Sequence, residues 1–315
     1  MDQIIPWPRL TTAIELFYPK ADGAGRRPFG INRMLPIYFL QDWFQLSDPS
    51  AEDALNDPPV LRSFVGIDLG QEPVPDETTI LKSRHFMEEH NLGEQLFVLV
   101  SQFLQENVYT IARGTIVDAT IISAPSSTKN KDKSRYPDMH STQKANQWYF
   151  GMKAHIGVDG KTKLIHSVVA TSANVHDSQV LDELLHRDER RLYGDSGYTG
   201  QKEKIKSATP LAKDFTNRKG IINKSLSASE QRKNKTKSSV RAKVEHVFHI
   251  MKRQFGFIKV RYRGIEKNAN HLFALCALIN LEMASRYWKS AWQAIFACRM
   301  SKESCRRKIA SWPPD

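Results

Sequence analysis

The chain has 315 residues, 40% hydrophobic and 25% charged, the profile of a globular protein with a sizeable core rather than a disordered or fibrous one. No run of about 18 apolar residues, the length that spans a bilayer, is present. The greasiest stretch, HLFALCALINLEMASRYW, carries Glu282 and Arg286 and reads as a packed helix, so no membrane partner is expected. The three cysteines, Cys276, Cys298 and Cys305, are odd in number and lack CxxC spacing, so they suggest neither a disulfide framework nor a zinc cage and read as reduced thiols.

Net charge is +12, and its distribution says more than its size. Residues 1–113 hold 9 Lys and Arg against 16 Asp and Glu, whereas residues 114–315 hold 37 against 18. A polyanionic partner is therefore expected along the second half. The excess peaks between Lys202 and Lys267, with 19 basic residues against five acidic ones. The opening MDQIIPWPRLTTAIELFYPK lacks the basic region and apolar core of a secretory signal, and a cytoplasmic location is expected.

In chain order, INRMLPIYFLQDWFQLS, DPSAEDAL, DETTILKSRHFMEEH and LGEQLFVLVSQFLQENV have apolar residues at helical spacing, separated by Pro/Gly/Asp connectors. They predict a helical N-terminal domain within 1–112. At Gly114 the period changes: GTIVDATIIS is a β-branched strand interrupted by Asp118. APSSTKNKDKSRYPDMHST reads as a polar loop. QWYFGMKAHIGVD and KLIHSVVATSA form a hairpin turning at Asp159–Gly160. DSQVLDELLHR reads as a short helix that Asp177 caps, and RLYGDSGYTG as a strand ending in a glycine-flanked turn at Asp195. Trp148, Tyr149 and Phe150 read as strand core, and KSLSASEQRKNKTKSS as a connector. The whole predicts an α/β fold, with a mixed sheet and helices over residues 113–288.

RAKVEHVFHIMKRQFG reads as a helix capped by Ser238 or Ser239 and ended by Gly256. On a helical wheel, Val240, Val244, Val247, Phe248, Met251 and Phe255 form an apolar stripe. Arg241, Glu245 and Lys252 fall within about 40° of one another at its edge. Taken alone, Arg241 and Glu245 make an ordinary i,i+4 surface pair, a matter of a few tenths of a kcal/mol. Two other oddly placed acids, Asp118 within an apolar strand and Asp195 at a strand end, change that balance. A buried, unpaired carboxylate is costly, and three that converge point to a divalent cation. Hard cations such as Mg²⁺ take oxygen ligands and leave room for substrate phosphates. His155, His166, His176 and His246 lack zinc spacing and read as structural or as phosphate neighbours.

GTIVDATIISAPSSTKN, NQWYFGMKAHIGVD, GDSGYTG and RAKVEHVFHIMKRQFGFIKVRYRG together resemble the DDE transposases of bacterial insertion sequence 5, within the wider insertion sequence 4 grouping. MDQIIPW, YFLQDWFQLSDPSAEDAL and PDETTILKSRHF resemble their helical N-terminal domain, so the resemblance covers about residues 1–288. It implies an RNase H-like catalytic domain with a mixed five-stranded sheet, carrying Asp118 on the first strand, Asp195 after the fourth and Glu245 on a later helix. These would be catalytic residues and ligands of two Mg²⁺ or Mn²⁺ ions. The family signature Tyr-x2-Arg-x3-Glu-x6-Lys maps onto Arg241, Glu245 and Lys252, with Ser238 in place of the Tyr. Arg241, Lys252, Lys243 and Arg253 are the expected phosphate-binding residues.

The implied activity is binding of terminal inverted repeats, metal-dependent cleavage of the element's ends and joining of the 3′-hydroxyls to target DNA, in a homodimer or higher homo-oligomer near the nucleoid. The N-terminal domain is expected to serve end recognition, through Lys20, Arg26, Arg27, Arg33, Lys82 and Arg84, or dimerisation. The rival expectation is an inactive or repurposed relative that only binds DNA. Residues 289–315 read either as an extension or as the product of a shifted reading frame, and the resemblance assigns nothing to them.

Overall fold

The computed structural model describes residues 2, 4–19, 28–107, 114–129, 134–220 and 226–286. Lys20, Arg26, Arg27, Cys298, Cys305, the boundary expected at 112–113 and the extension 289–315 lie outside them. Six helices come first: α1 (Trp7–Glu15), α2 (Ile31–Phe44), α3 (Asp48–Asn56), α4 (Pro59–Val65), α5 (Glu77–Glu89) and α6 (Leu92–Asn107). Local chemistry sets their starts. The Ser47 hydroxyl accepts from the Ser50 N–H to cap α3, and the Asp76 carboxylate accepts from the Thr79 N–H to cap α5.

The sheet is built around β1 (Gly114–Ser123). It pairs antiparallel with β3 (Gln147–Asp159), which pairs antiparallel with β4 (Ile165–Ser172) across the expected turn. On its other side β1 runs parallel to β5 (Arg191–Tyr193), and β5 runs parallel to β6 (Lys213–Asp214). With helices on both faces, this is the RNase H-like arrangement, although the sheet has six strands rather than five. The extra strand, β2 (His140–Lys144), begins at the end of the stretch read as polar loop. β4 covers only Met152 to Val158 of the long β3, and β2 takes up the edge left over from Gln147 to Gly151. Because β2 is nearly all exposed, it shows no apolar alternation in sequence.

Three further expectations are corrected. DSQVLDELLHR forms two single 3-10 turns, Asp177–Gln179 and Asp182–Leu184, seated by the buried Val180, Leu181, Leu184 and Leu185; the His176 side chain, rather than Asp177, caps the first. Trp148 is 68% exposed instead of lying in the core, because the β2–β3 hairpin extends past the end of β1. The helix that carries Glu245, after α7 (Lys202–Ala208), is α8 (Ala228–His249) and begins ten residues before the expected caps. Ser227 caps it, accepting from the Glu230 N–H, and Arg218 Nη1 donates to Glu230 Oε1 at 2.7 Å. A π-turn, Ile250–Gln254, follows, and Gly256 at φ +64° ends the segment as expected.

A helix over 265–286, α9, has its middle almost wholly buried, including Leu275, Leu278 and Leu281. Asn280 exchanges hydrogen bonds with the backbone of Ile165, and Asn270 Oδ1 accepts from the Gly93 N–H. A Cβ at Gly93 would stand 2.0 Å from the Asn270 carbonyl, so α6 and α9 can touch this closely only at a glycine. One continuous buried cluster runs from Leu10 and Phe39 through α9 to Ile116, Ile122 and Ile156 on one face of the sheet. A smaller one, with Val117, Leu184, Leu192 and Tyr198, covers the other face. The period of two along β1 therefore puts Asp118 on the face of Ile116 and Ile122, which α8 covers.

Candidate active site

A cleft of about 830 Å³ lies between β1, the β2 strand, the turn after β5 and α8. Asp118 is 8% exposed at its base. Its Oδ1 accepts from the Ala119 N–H at 2.9 Å and its Oδ2 accepts from Arg241 Nη1 at 2.6 Å. Burial pushes the Asp118 carboxyl up to about 6, against the opposing pull of Arg241 and the Ala119 N–H; Asp195 and Glu245 push it further up. Asp118 thus feels both other carboxylates, although the three come from a strand, a turn and a helix.

Asp195 follows β5, the fourth strand of the sheet once β2 is set aside, and its Oδ1 accepts from the Gly197 N–H at 2.7 Å. That bond fixes the turn and leaves the second oxygen outside it. Glu245 has a 61% exposed side chain and stands 3.8 Å from Arg241 Nη1, too far for a hydrogen bond. The surface pair that a wheel suggests is therefore loose, and Arg241 has Asp118 as its close partner.

Lys252 and Arg253 line the same cleft, Lys252 Nζ donating to the Ile121 carbonyl at 3.0 Å. Burial, with nearby Lys144, lowers the Lys252 ammonium below its ordinary range. Lys243 is not brought here. It donates to the Gly160 carbonyl at 2.6 Å and lines a separate recess. Ser238 lies in mid-helix and accepts from Asn217 Nδ2 at 2.9 Å.

The cleft also holds residues that sequence reasoning missed, namely Lys144, Lys153 and Asp177. Lys153 Nζ donates to Asp177 Oδ1 at 2.9 Å and to the Val175 carbonyl at 2.7 Å. A lysine inside the apolar β3 was a signal of the same kind as Asp118 inside β1. Beside them His155 is fully buried, its Nε2 2.8 Å from Thr171 Oγ1, and burial lowers its imidazole to about 4.

Among the described residues, no three His, Cys, Asp or Glu side chains are close enough to hold a metal ion as they stand. The donor set nevertheless fits a hard cation. It consists of carboxylates alone, and Asp195 and Glu245 raise the cost of charge on Asp118, which a cation would relieve. In this conformation the Arg241 guanidinium supplies the positive charge beside Asp118.

Residues 110–281 match the family model described as Transposase DDE domain, and residues 1–86 match that described as Transposase domain (DUF772). The fold is also similar to a solved structure described as "Cryo-EM structure of piggyBac transposase synaptic complex with hairpin DNA", at 11% identity and a TM-score of 0.49, over 93% of this chain and 73% of that one.

Proposed function

Since the chain belongs to the DDE transposases, we propose that it binds the terminal inverted repeats of its element, cleaves the ends and joins the freed 3′-hydroxyls to target DNA. The observation that carries this reading is the meeting of Asp118, Asp195 and Glu245, from three separate elements, in one cleft edged by Arg241, Lys252 and Arg253. We place it in the insertion sequence 5 group on the Arg241, Glu245 and Lys252 signature.

Asp118, Asp195 and Glu245 would hold two Mg²⁺ or Mn²⁺ ions. When bound, such ions activate a water or hydroxyl and stabilise the leaving oxygen of a phosphodiester. Asp118, set on a central strand and held by the Ala119 N–H, is the rigid member of the set; Glu245, exposed on α8, is the adjustable one. Arg241 exchanges Asp118 for a DNA phosphate oxygen when the cleft fills, since its fork suits both. Lys252 and Arg253 hold phosphates on either side of the scissile bond as point charge and fork. The half-buried Lys153 and Asp177 keep the floor of the cleft fixed through their mutual bond. The working form is a homodimer or higher oligomer that brings two ends together, acting at the nucleoid in the cytoplasm. Among the described residues no helix is long and apolar enough to cross a membrane.

Incubation of the full chain with Mg²⁺, a duplex carrying the element's end and a supercoiled target tests the reading. Joined products that disappear with Asp195→Ala are the expected result. DNA bound without any cleavage would favour the rival, a DNA-binding protein derived from a transposase, and cleavage without joining would leave a plain nuclease.

A further inference from the structure

A second basic recess, of about 430 Å³, opens where β1 and β5 begin. Gly114 and Gly160 form its floor, and Lys161, Arg190, Arg191 and Lys243 surround it. Among the described residues, no carboxylate lines it. The two acids nearest in the chain are turned inward. Asp159 is fully buried, and its Oδ2 accepts from the Lys161 and Thr162 N–H groups and from Thr162 Oγ1. Glu189 is 1% exposed, and its Oε1 accepts from the His186 N–H and from Thr115 Oγ1. Four cations therefore share a concave surface that no carboxylate among the described residues lines, which focuses a positive potential outward.

The recess is separate from the catalytic cleft and joined to it by one helix. Four residue steps along β1, about 13 Å at strand rise, separate Gly114 from Asp118. On α8, Arg241 turns to Asp118, and Lys243, two residues on, turns to Gly160. One bond to the Gly160 carbonyl leaves other ammonium protons of Lys243 free for a ligand. We infer that this recess is a second docking site for the DNA backbone, taking phosphates of the duplex beyond the stretch that enters the cleft. The inference rests on the reading of the cleft as a DNA site and extends the track along α8. The same phosphate chemistry would be met by a small free polyphosphate, but a site joined by α8 to a phosphodiester cleft favours continuous duplex.

The test uses the full chain carrying Lys161→Glu and Arg191→Glu, both exposed in the fold, in equilibrium binding to duplexes of increasing length across a salt series. Loss of two phosphate contacts makes the slope of log affinity against log salt shallower by about 1.8. That change is expected on long duplexes and not on one short enough to occupy only the cleft. Cleavage by DNA-saturated enzyme stays at the parent rate, while the DNA concentration needed for half-maximal rate rises. Lys161→Arg with Arg191→Lys keeps the parent slope and separates charge from folding.

A double-Glu variant with the parent slope on long duplex, or with equal loss on short and long duplexes, would overturn the inference. So would inorganic tripolyphosphate binding that Lys161→Glu abolishes while the DNA slope stays unchanged. If the parent itself shows no salt-dependent DNA binding, the reading of the cleft fails with it, and the two failures are thereby distinguished.

Discussion

Asp42 and Asp118 are both buried carboxylates facing an arginine, yet they sit in regions built for different ends. Asp42, on α2, is 2% exposed; its Oδ1 accepts from His271 Nε2 at 2.9 Å and stands 3.9 Å from Arg261 Nη1. It ties the N-terminal helices to α9 and opens on no catalytic cleft. Asp118 is nearly as buried but lies at the base of a wide cleft, with Asp195 and Glu245 close enough to raise the cost of its charge. Burial of an acid therefore does not identify chemistry. The distinguishing mark is a set of acids that oppose one another at an opening, where an ordinary fold would pair or separate them.

Substitutions at the two sites should separate these roles, and the largest effect expected is on activity. Asp118→Asn lowers end cleavage by about a thousandfold or more, measured in single turnover, while thermal unfolding shows no loss of stability because a charge penalised by burial has been removed. Asp42→Ala does the reverse. It leaves His271 and Arg261 without their buried partner and costs about 3–5 kcal/mol in denaturant unfolding, with activity falling only as far as the folded fraction does. If Asp42→Ala stopped cleavage in fully folded protein, the comparison would collapse.

His155 sharpens it, as a buried titratable group beside the cleft that behaves as structure. Its imidazole, near 4 in the fold, lies below its ordinary value, so neither state holds the proton well above pH 6.5 and nothing is lost there. As pH falls below that value, the unfolded chain takes up a proton that the native state refuses. Stability should drop by up to about 1.4 kcal/mol per pH unit until about pH 4. His155→Gln should flatten that part of a stability-against-pH curve. The smallest effect expected is at the surface: Ser227→Ala removes the cap of α8 and costs about 1 kcal/mol by thermal unfolding, with cleavage rates per folded molecule unchanged.

What was legible in the sequence followed from periodicity. β1 and β3 are largely apolar runs buried on both faces, the apolar stripe of α8 has one buried face, and Asp118 stood out because it interrupted such a run. The first half of α8 had no such pattern. ASEQRKNKTKSS is polar all round and is held by the Ser227–Glu230 capping box and by Arg218, whose backbone N–H and carbonyl bond the Asn234 side chain. The Ser-x-x-Glu spacing was the one signal available. Lys243 was grouped with Arg241 because both belong to one basic helix. Only the packing of α8 across the sheet shows that they leave it toward different openings. Asp177 was hidden for the opposite reason: helical spacing around it suggested a cap, whereas the chain makes single turns and presents Asp177 to the cleft.

The most direct test of the central claim is to map strand breaks, nucleotide by nucleotide, on both strands of a duplex carrying the element's end, with Mg²⁺ and either the parent chain or Asp118→Asn. Breaks at the junction of element and flank with the parent, and none with a variant that binds the same duplex as tightly, are the predicted result. Breaks at the same positions and rate with Asp118→Asn would show that the chemistry lies outside this cleft.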